Sequence, residues 1–173
     1  MWPHLQPCMS RSPRRFSSCD AARPVARFIN LVLVSLVTGN GVGGERFVHA
    51  PLSGLAPDRY LEAEKAITRS YLPMLAVMPA SVLSGLQVLA LMPKRRGAAF
   101  WLTLTGTAGM IGTFAITLLE LPLNRQTLTA STETSDEWMR NRGRWVQFNH
   151  LRTFLELVAW ACLCVGALTD RRR

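Results

Sequence analysis

The sequence predicts an all-α protein, a four-helix transmembrane bundle with up-down-up-down topology, and three observations predict it. The chain is 49% hydrophobic, and its charged residues are strongly clustered. Tyr71 to Pro93 and Gly97 to Leu119 contain no charged residue, and as helices each is long enough to cross the ~30 Å hydrocarbon core of a bilayer. Two further apolar stretches, one on each side of this central pair, bring the expected number of membrane-crossing helices to four.

The first helix is expected at about residues 25–46. Residues 28–44 are uncharged, and extending this window back to Val25 adds only Arg27. Residues 1–22 are rich in Arg, Ser and Pro and are expected to form a disordered basic tail before a membrane domain at 23–170. A cleaved signal peptide is the alternative for the first span, because a basic leader precedes a short apolar core, although no clear A-x-A site follows.

A glycine-rich string, Gly39-Asn40-Gly41-Val42-Gly43-Gly44, lies near the end of this helix and matches the dinucleotide-binding pattern G-x-G-x-x-G. That fingerprint also needs a crossover helix and an acidic residue at the end of a second strand. Here Pro51 and Pro57 would break such a helix, and Glu62 and Glu64 lie in a polar stretch. We therefore interpret the glycines as small residues that allow helices to approach closely.

Three more helices follow along the chain. The second is expected at about 68–93 and the third at about 97–121, where Pro122 should end it. The fourth is expected at about 144–168, because two charged residues there are followed by the apolar run LVAWACLCVGAL.

The net charge of +9 is distributed as in a membrane protein, so no nucleic-acid partner is expected. With four spans, the basic tail, Lys94-Arg95-Arg96 and Arg171-Arg172-Arg173 share one side, which has 11 basic residues and two acids. The other side has nine of each. Because Lys and Arg in short loops mark the cytoplasmic side, we expect both termini in the cytoplasm and the protein in the plasma (inner) membrane.

Polar side chains gather at one end of the expected bundle, a pattern that we interpret as a pocket because ionisable groups inside a bilayer are costly. They are Glu45, Arg46 and His49 at the end of the first helix, Glu120 in the third, and Trp145, Asn149, Arg152 and Glu156 in the fourth. Steps of four, three and four residues place the last four side chains on one helix face. As an alternative, Arg152 and Glu156 could simply neutralise each other, and residues near a helix end can reach water. The four cysteines form no C-x-x-C pair and no zinc spacing, so no metal site is expected.

The segment WVQFNHLRTFLEL contains the pattern W-x3-N-x2-R at Trp145, Asn149 and Arg152. With His49-Ala50-Pro51-Leu52 and Leu121-Pro122-Leu123-Asn124, it resembles the anthrone oxygenase-like family of small four-helix membrane proteins, many of which have no assigned reaction. The resemblance covers roughly residues 25–168 and implies an oxygenase that works without metal or flavin. Fungal members of that family oxidise polyketide anthrones to anthraquinones. The residues that match the family are Pro122, Asn124, Trp145, Asn149 and Arg152.

This resemblance implies a hydrophobic aromatic substrate and O₂. An anthrone has an acidic methylene, so a base can create a carbanion that reacts with oxygen directly. His49 is the first candidate base, because imidazole exchanges protons near neutral pH, and Glu120 is the second. Arg152 would act with Asn149 to hold the enolate oxygen, and Trp145 would stack on the ring. Asn124 and Glu156 complete the expected site, and both are expected to contact the substrate.

Two other classes of protein are compatible with the sequence. In a non-catalytic membrane scaffold or accessory protein, the polar cluster would stabilise the bundle or an interface. In a small transporter, intramembrane charges would mark a translocation path. The charges, however, lie towards one end, and no broken-helix repeat is evident.

Overall fold

The computed structural model of the protein describes residues 18–52, 54–71, 73–92, 97–129 and 136–171. These residues form helices joined by short turns, so the all-α prediction is confirmed. The elements in chain order are α1 (Ser18–Gly43), a π-helical segment (Gly44–His49), α2 (Ala50–Leu52), α3 (Pro57–Ser70), α4 (Met74–Ala90), α5 (Ala98–Thr129) and α6 (Asp136–Arg171).

Three helical stretches are long and apolar enough to cross a membrane. They are Ala22–Leu52, Ala98–Gln126 and Arg140–Asp170. A fourth span is present if α3 and α4, which are bent by 47° at the break between them, are counted together.

The bundle is apolar on its outside and partly polar inside. Phe28 is 68% exposed and Leu83 is 66% exposed, whereas Asn30, Thr113 and Glu120 are buried. In water such an exposed apolar surface would be unfavourable, but in lipid it is the expected surface. This surface and the span lengths are those of an integral membrane protein.

The four long helices α1, α4, α5 and α6 surround a common core. Helix α1 contacts α4 and α6, and α5 contacts the same two helices. Small residues allow these contacts: a Cβ atom on Gly106 would lie 2.6 Å from Cγ of Leu163, and one on Gly85 would lie 2.7 Å from Oγ1 of Thr107. The helices meet in an apolar cluster of Val34, Val37, Met78, Met110, Ala159 and Leu163.

Contacts between α1 and α6 fall in opposite order along the two helices. Near the start of α1, Nη1 of Arg27 lies 2.8 Å from Oδ2 of Asp170, close to the end of α6. Further along α1, the Thr38 hydroxyl donates to the backbone oxygen of Glu156 over 3.4 Å. These two helices are therefore antiparallel.

The second apolar helix differs from the single helix expected at 68–93. Helix α3 ends at Ser70, and α4 begins only at Met74. Pro73 explains the break, because proline lacks a backbone N–H and disfavours helical geometry in the residue before it. The uncharged windows of the sequence therefore did not predict α3, a separate amphipathic helix ahead of the apolar α4.

The other helix ends also differ from expectation. The prediction that Pro122 ends the third helix is wrong, since Pro122 lies inside α5 and the helix continues to Thr129. Membrane helices tolerate proline because neighbouring groups can satisfy the freed carbonyl. Helix α6 begins at Asp136, ahead of the expected residue 144. Of the expected tail, residues 1–17 lie outside the described residues, as does Lys94-Arg95-Arg96, while Ser18 already belongs to α1.

Candidate functional site

One end of the bundle encloses a pocket of about 440 Å³, which we call the inner pocket. One part of its wall is apolar and is formed by Val37, Ile67, Met74, Leu75, Met78 and Leu121. The structure brings together all seven residues expected in the site, since the same pocket is lined by His49, Glu120, Asn124, Trp145, Asn149, Arg152 and Glu156.

The polar wall of the inner pocket is formed by Glu120, Asn149, Arg152 and Glu156, and Arg152 lies at its centre. Its Nη1 donates to Oε2 of Glu120 on α5 over 2.9 Å, and its Nη2 donates to Oδ1 of Asn149 over 2.6 Å. Its Nε lies 3.6 Å from Oε1 of Glu156, one turn further along α6. The closest carboxylate partner of Arg152 is therefore on another helix, so pairing with Glu156 alone does not account for its position.

The polar wall contains more carboxyl groups than this guanidinium can balance. Glu120 and Glu156 are both buried, and within the described residues Oε1 of Glu120 and Oε2 of Glu156 have no hydrogen-bond partner. An unpaired buried carboxylate is costly, and such a group takes up a proton instead. We therefore expect one of the two carboxyl groups to be neutral, which leaves a proton donor and a proton acceptor side by side.

A second pair of polar groups faces the inner pocket from α3 and the π-helical segment. Nδ1 of His49 lies 3.6 Å from Oε2 of Glu64, and both atoms are buried without a hydrogen-bond partner in the described structure. The His49 and Trp145 rings pack in a T-shaped arrangement, with a centroid distance of 4.7 Å and an interplanar angle of 67°. Among the described side chains, no three His, Cys, Asp or Glu residues come together in a group that could hold a metal ion.

A second pocket, the outer pocket, has a volume of about 500 Å³. It shares His49, Trp145 and Asn149 with the inner pocket, so these side chains form a common wall. The rest of its lining is mainly charged or polar and includes Glu45, Arg46, Tyr60, Arg142 and His150.

Glu45 lies in this outer pocket and contacts His150, whereas Gly41, four residues earlier, lines the inner pocket. The π-helical segment explains the difference. Its i→i+5 hydrogen bonds widen the turn, so that residues four apart no longer lie directly above one another. Single π-turns of this kind are frequent at functional sites.

The glycine-rich string is helical, and two of its four glycines, Gly41 and Gly44, serve the close packing that the sequence indicated. A Cβ atom at Gly41 would collide with the carboxylate of Glu156, and one at Gly44 would lie 3.1 Å from the hydroxyl of Tyr71. In contrast, nothing lies within 4 Å of a Cβ placed on Gly39 or Gly43. Gly41 therefore provides the space that the Glu156 side chain occupies.

Sequence reasoning missed the contribution of α3 to the site. Glu64, Thr68 and Tyr71 all line the inner pocket, and Glu64 is only 6% exposed. Their spacing of four and three residues is that of one helix face, and Pro57 in the first turn is a helix-start signal. Both signals lie in the polar stretch PDRYLEAEKAITR, which belongs to no long uncharged window.

These features define a class: a helical integral membrane protein with a pocket at one end of its bundle that has one apolar and one polar wall. The family model of anthrone oxygenase matches residues 67–162, which is more than half of the chain. The chain therefore belongs to the anthrone oxygenase family. Six of the seven expected site residues lie in the matched segment, whereas His49 and the newly found Glu64 precede it. Searches of curated proteins and of solved structures gave no match.

Proposed function

We propose that this protein is a membrane oxygenase that uses O₂, without metal or flavin, to convert anthrone- or hydroquinone-type aromatics to quinones. The observation that carries the proposal is the hydrogen-bonded set of Glu120, Arg152 and Asn149 on the wall of an otherwise largely apolar pocket. A pocket of about 440 Å³ lies in the ~300–1,000 Å³ range of small-molecule sites. Family membership supports the same chemistry.

Glu120 is the base in this proposal, in preference to His49. When the Glu120 carboxylate takes a proton from the substrate methylene, the negative charge moves to the enolate oxygen. Arg152, released from its ion pair with Glu120, then pairs with that oxygen, and Asn149 keeps the guanidinium in place. The total charge of the site does not change, which favours the step where charges are poorly solvated.

The oxygen step uses the substrate's own electrons. The carbanion gives one electron to O₂, and the two radicals combine to form a carbon–oxygen bond and a peroxide anion, which takes the proton held by Glu120. Loss of water from this hydroperoxide gives the quinone. The apolar wall formed by Met74, Leu75 and Met78 keeps bulk water away from the carbanion in the meantime.

In the membrane, we propose that residues 23–170 cross the bilayer four times in alternating directions, with α3 and α4 forming one bent span. The antiparallel contacts of α1 and α6 support this arrangement. Both termini then lie in the cytoplasm at the plasma (inner) membrane, and the inner pocket opens towards the other side. The partners are the lipid bilayer, an aromatic substrate that dissolves in it, and O₂, with no nucleic acid.

Oxygen uptake by the purified protein tests the proposal. The full chain in detergent is mixed with a panel of anthrones and hydroquinones, with and without a chelator. We expect chelator-resistant O₂ uptake with formation of quinone. No uptake with any substrate in the panel would contradict the proposed activity.

A non-catalytic scaffold is the second candidate, because the bond between Arg152 and Glu120 also joins α6 to α5. The substitution Arg152→Ala separates the two functions. A folded, abundant variant that lacks oxygenase activity supports the enzyme, whereas misfolding together with an inactive wild-type protein supports the scaffold.

A further inference from the structure

Glu156 occupies an unusual position for a residue that only binds substrate. Its side chain is 1% exposed, near the middle of the α6 span, and its Oε2 has no hydrogen-bond partner within the described residues. Gly41 on α1 leaves open the space that this carboxyl group fills. A buried carboxyl group with a free oxygen at the wall of a pocket can exchange a proton with a ligand there.

The geometry around Arg152 distinguishes the two neighbouring carboxyl groups. Glu120 accepts a hydrogen bond of 2.9 Å from Nη1, whereas Glu156 lies 3.6 Å from Nε and makes no hydrogen bond to it. Glu120 is therefore the carboxylate that the guanidinium balances. Glu156 is the group that holds a proton in the resting site, because a second charged carboxylate here would be buried and unbalanced.

We propose that Glu156 is the general acid of the dehydration step, a role that rests on the proposed function. In that step Glu120 removes the remaining proton from the carbon that bears the peroxide. The carbonyl double bond forms as the O–O bond breaks, and the leaving oxygen takes the proton of Glu156 to become water. The proton on Glu120 then passes to Glu156, so the two methylene hydrogens end in water and the site is restored.

The substitution Glu156→Gln tests this role, since glutamine keeps the size and neutrality of the protonated acid but donates no proton of this kind. We expect the full-length variant in detergent to consume O₂ and accumulate hydroperoxide. Quinone formation should fall by about 10²-fold or more, the usual contribution of a general acid. Acid-quenched samples give hydroperoxide and quinone per O₂ consumed. Glu62→Gln, an exposed carboxylate on α3, is the matched control and should resemble the wild type.

A second variant displaces the Glu156 carboxyl group without replacing the residue. In Gly41→Ala, the new methyl group displaces the Glu156 carboxyl, so hydroperoxide should again accumulate. Gly39→Ala lies half a turn away, where an added Cβ meets nothing within 4 Å, and it should give the wild-type yield of quinone. This pair decides the question if Glu156→Gln does not fold.

Three outcomes would overturn the role of Glu156. The first is a wild-type yield of quinone per O₂ in folded Glu156→Gln, and the second is the same yield in folded Gly41→Ala. The third is hydroperoxide accumulation in Tyr71→Phe but not in Glu156→Gln, which would identify the phenolic hydroxyl of Tyr71 as the acid. If the wild-type protein consumes no O₂ with any substrate, the proposed function fails and this role fails with it.

Discussion

At the scale of single residues, Arg152 donates to two partners at once from a rigid, planar group. Its planar guanidinium donates from Nη1 to Glu120 and from Nη2 to Asn149 at the same time. Lysine would keep the positive charge, but it lacks this fixed fork of donors. The geometry of the group, as well as its charge, is therefore expected to matter.

The substitution Arg152→Lys measures that difference. We expect a folded protein whose kcat/KM for quinone formation falls by about 10²–10³-fold, the usual loss when a donor to a developing oxyanion is removed. Arg144→Lys, at an exposed position on the same helix, is the control. Wild-type kcat/KM in Arg152→Lys would show that charge alone is sufficient.

The identity of the base can be tested by comparing the two candidates. Glu120→Gln should abolish measurable turnover, because an amide cannot accept the methylene proton. His49→Gln should retain turnover within about tenfold, since we expect His49 to form only the wall between the two pockets. Initial rates of O₂ uptake measure both variants. Loss of turnover in His49→Gln with activity retained in Glu120→Gln would reverse the assignment.

Much of the residue-level site could be predicted from the sequence, because helical spacing is local. Steps of four and three residues placed Trp145, Asn149, Arg152 and Glu156 on one face, and the structure brings them to one pocket. The pairing of Arg152 with Glu120 could not be read in this way. It depends on how α5 and α6 are rotated against each other, which local spacing does not determine.

At the scale of helices, α3 shows why one element was missed. It is amphipathic, with Tyr60, Leu61 and Glu64 buried and Glu62 exposed, and a search for long uncharged windows passes over such a helix. Its helical spacing is as clear as that of α6. The fold could be predicted where hydrophobicity dominates, and it could not where a short polar helix completes a site.

Close packing of α5 against α6 depends on a glycine at the contact, and it can be tested by stability. In Gly106→Ala, the new Cβ would lie 2.6 Å from Cγ of Leu163 and 2.9 Å from the backbone oxygen of Ala159. Because the backbone cannot yield cheaply, we expect a loss of about 1–3 kcal/mol in the free energy of unfolding.

The matched control for this prediction is Gly39→Ala in the interior of α1, where the added Cβ has open space. Alanine is the better helix former, so stability should stay equal or rise by up to ~1 kcal/mol. Denaturant titration in detergent, followed by circular dichroism, measures both variants. Equal stability of the two variants would contradict the tight contact of α5 and α6.

At the scale of the whole molecule, the distribution of polar groups argues against a translocation path. The inner pocket ends against Val37 and Met78, which belong to the apolar cluster at the centre of the bundle. Beyond that cluster, the far end is held by ion pairs of Asp170 with Arg23 and Arg27. A pocket closed by packed apolar side chains at one end is the arrangement of a binding site rather than of a channel.

The orientation of the inner pocket relative to the membrane is the last prediction, and it can be measured with single cysteines. The four native cysteines are replaced by serine or alanine, and one new cysteine is introduced at an exposed position, either Gly54→Cys between α2 and α3 or Ala22→Cys near the start of α1. Because the basic residues counted in the sequence favour a cytoplasmic location for the termini, a membrane-impermeant maleimide should label Gly54→Cys in intact cells. Ala22→Cys should be labelled only after the membrane is made permeable. The opposite pattern would show that the protein has the inverted orientation in the membrane. Labelling of both cysteines from one side would rule out the alternating spans on which the inner pocket depends.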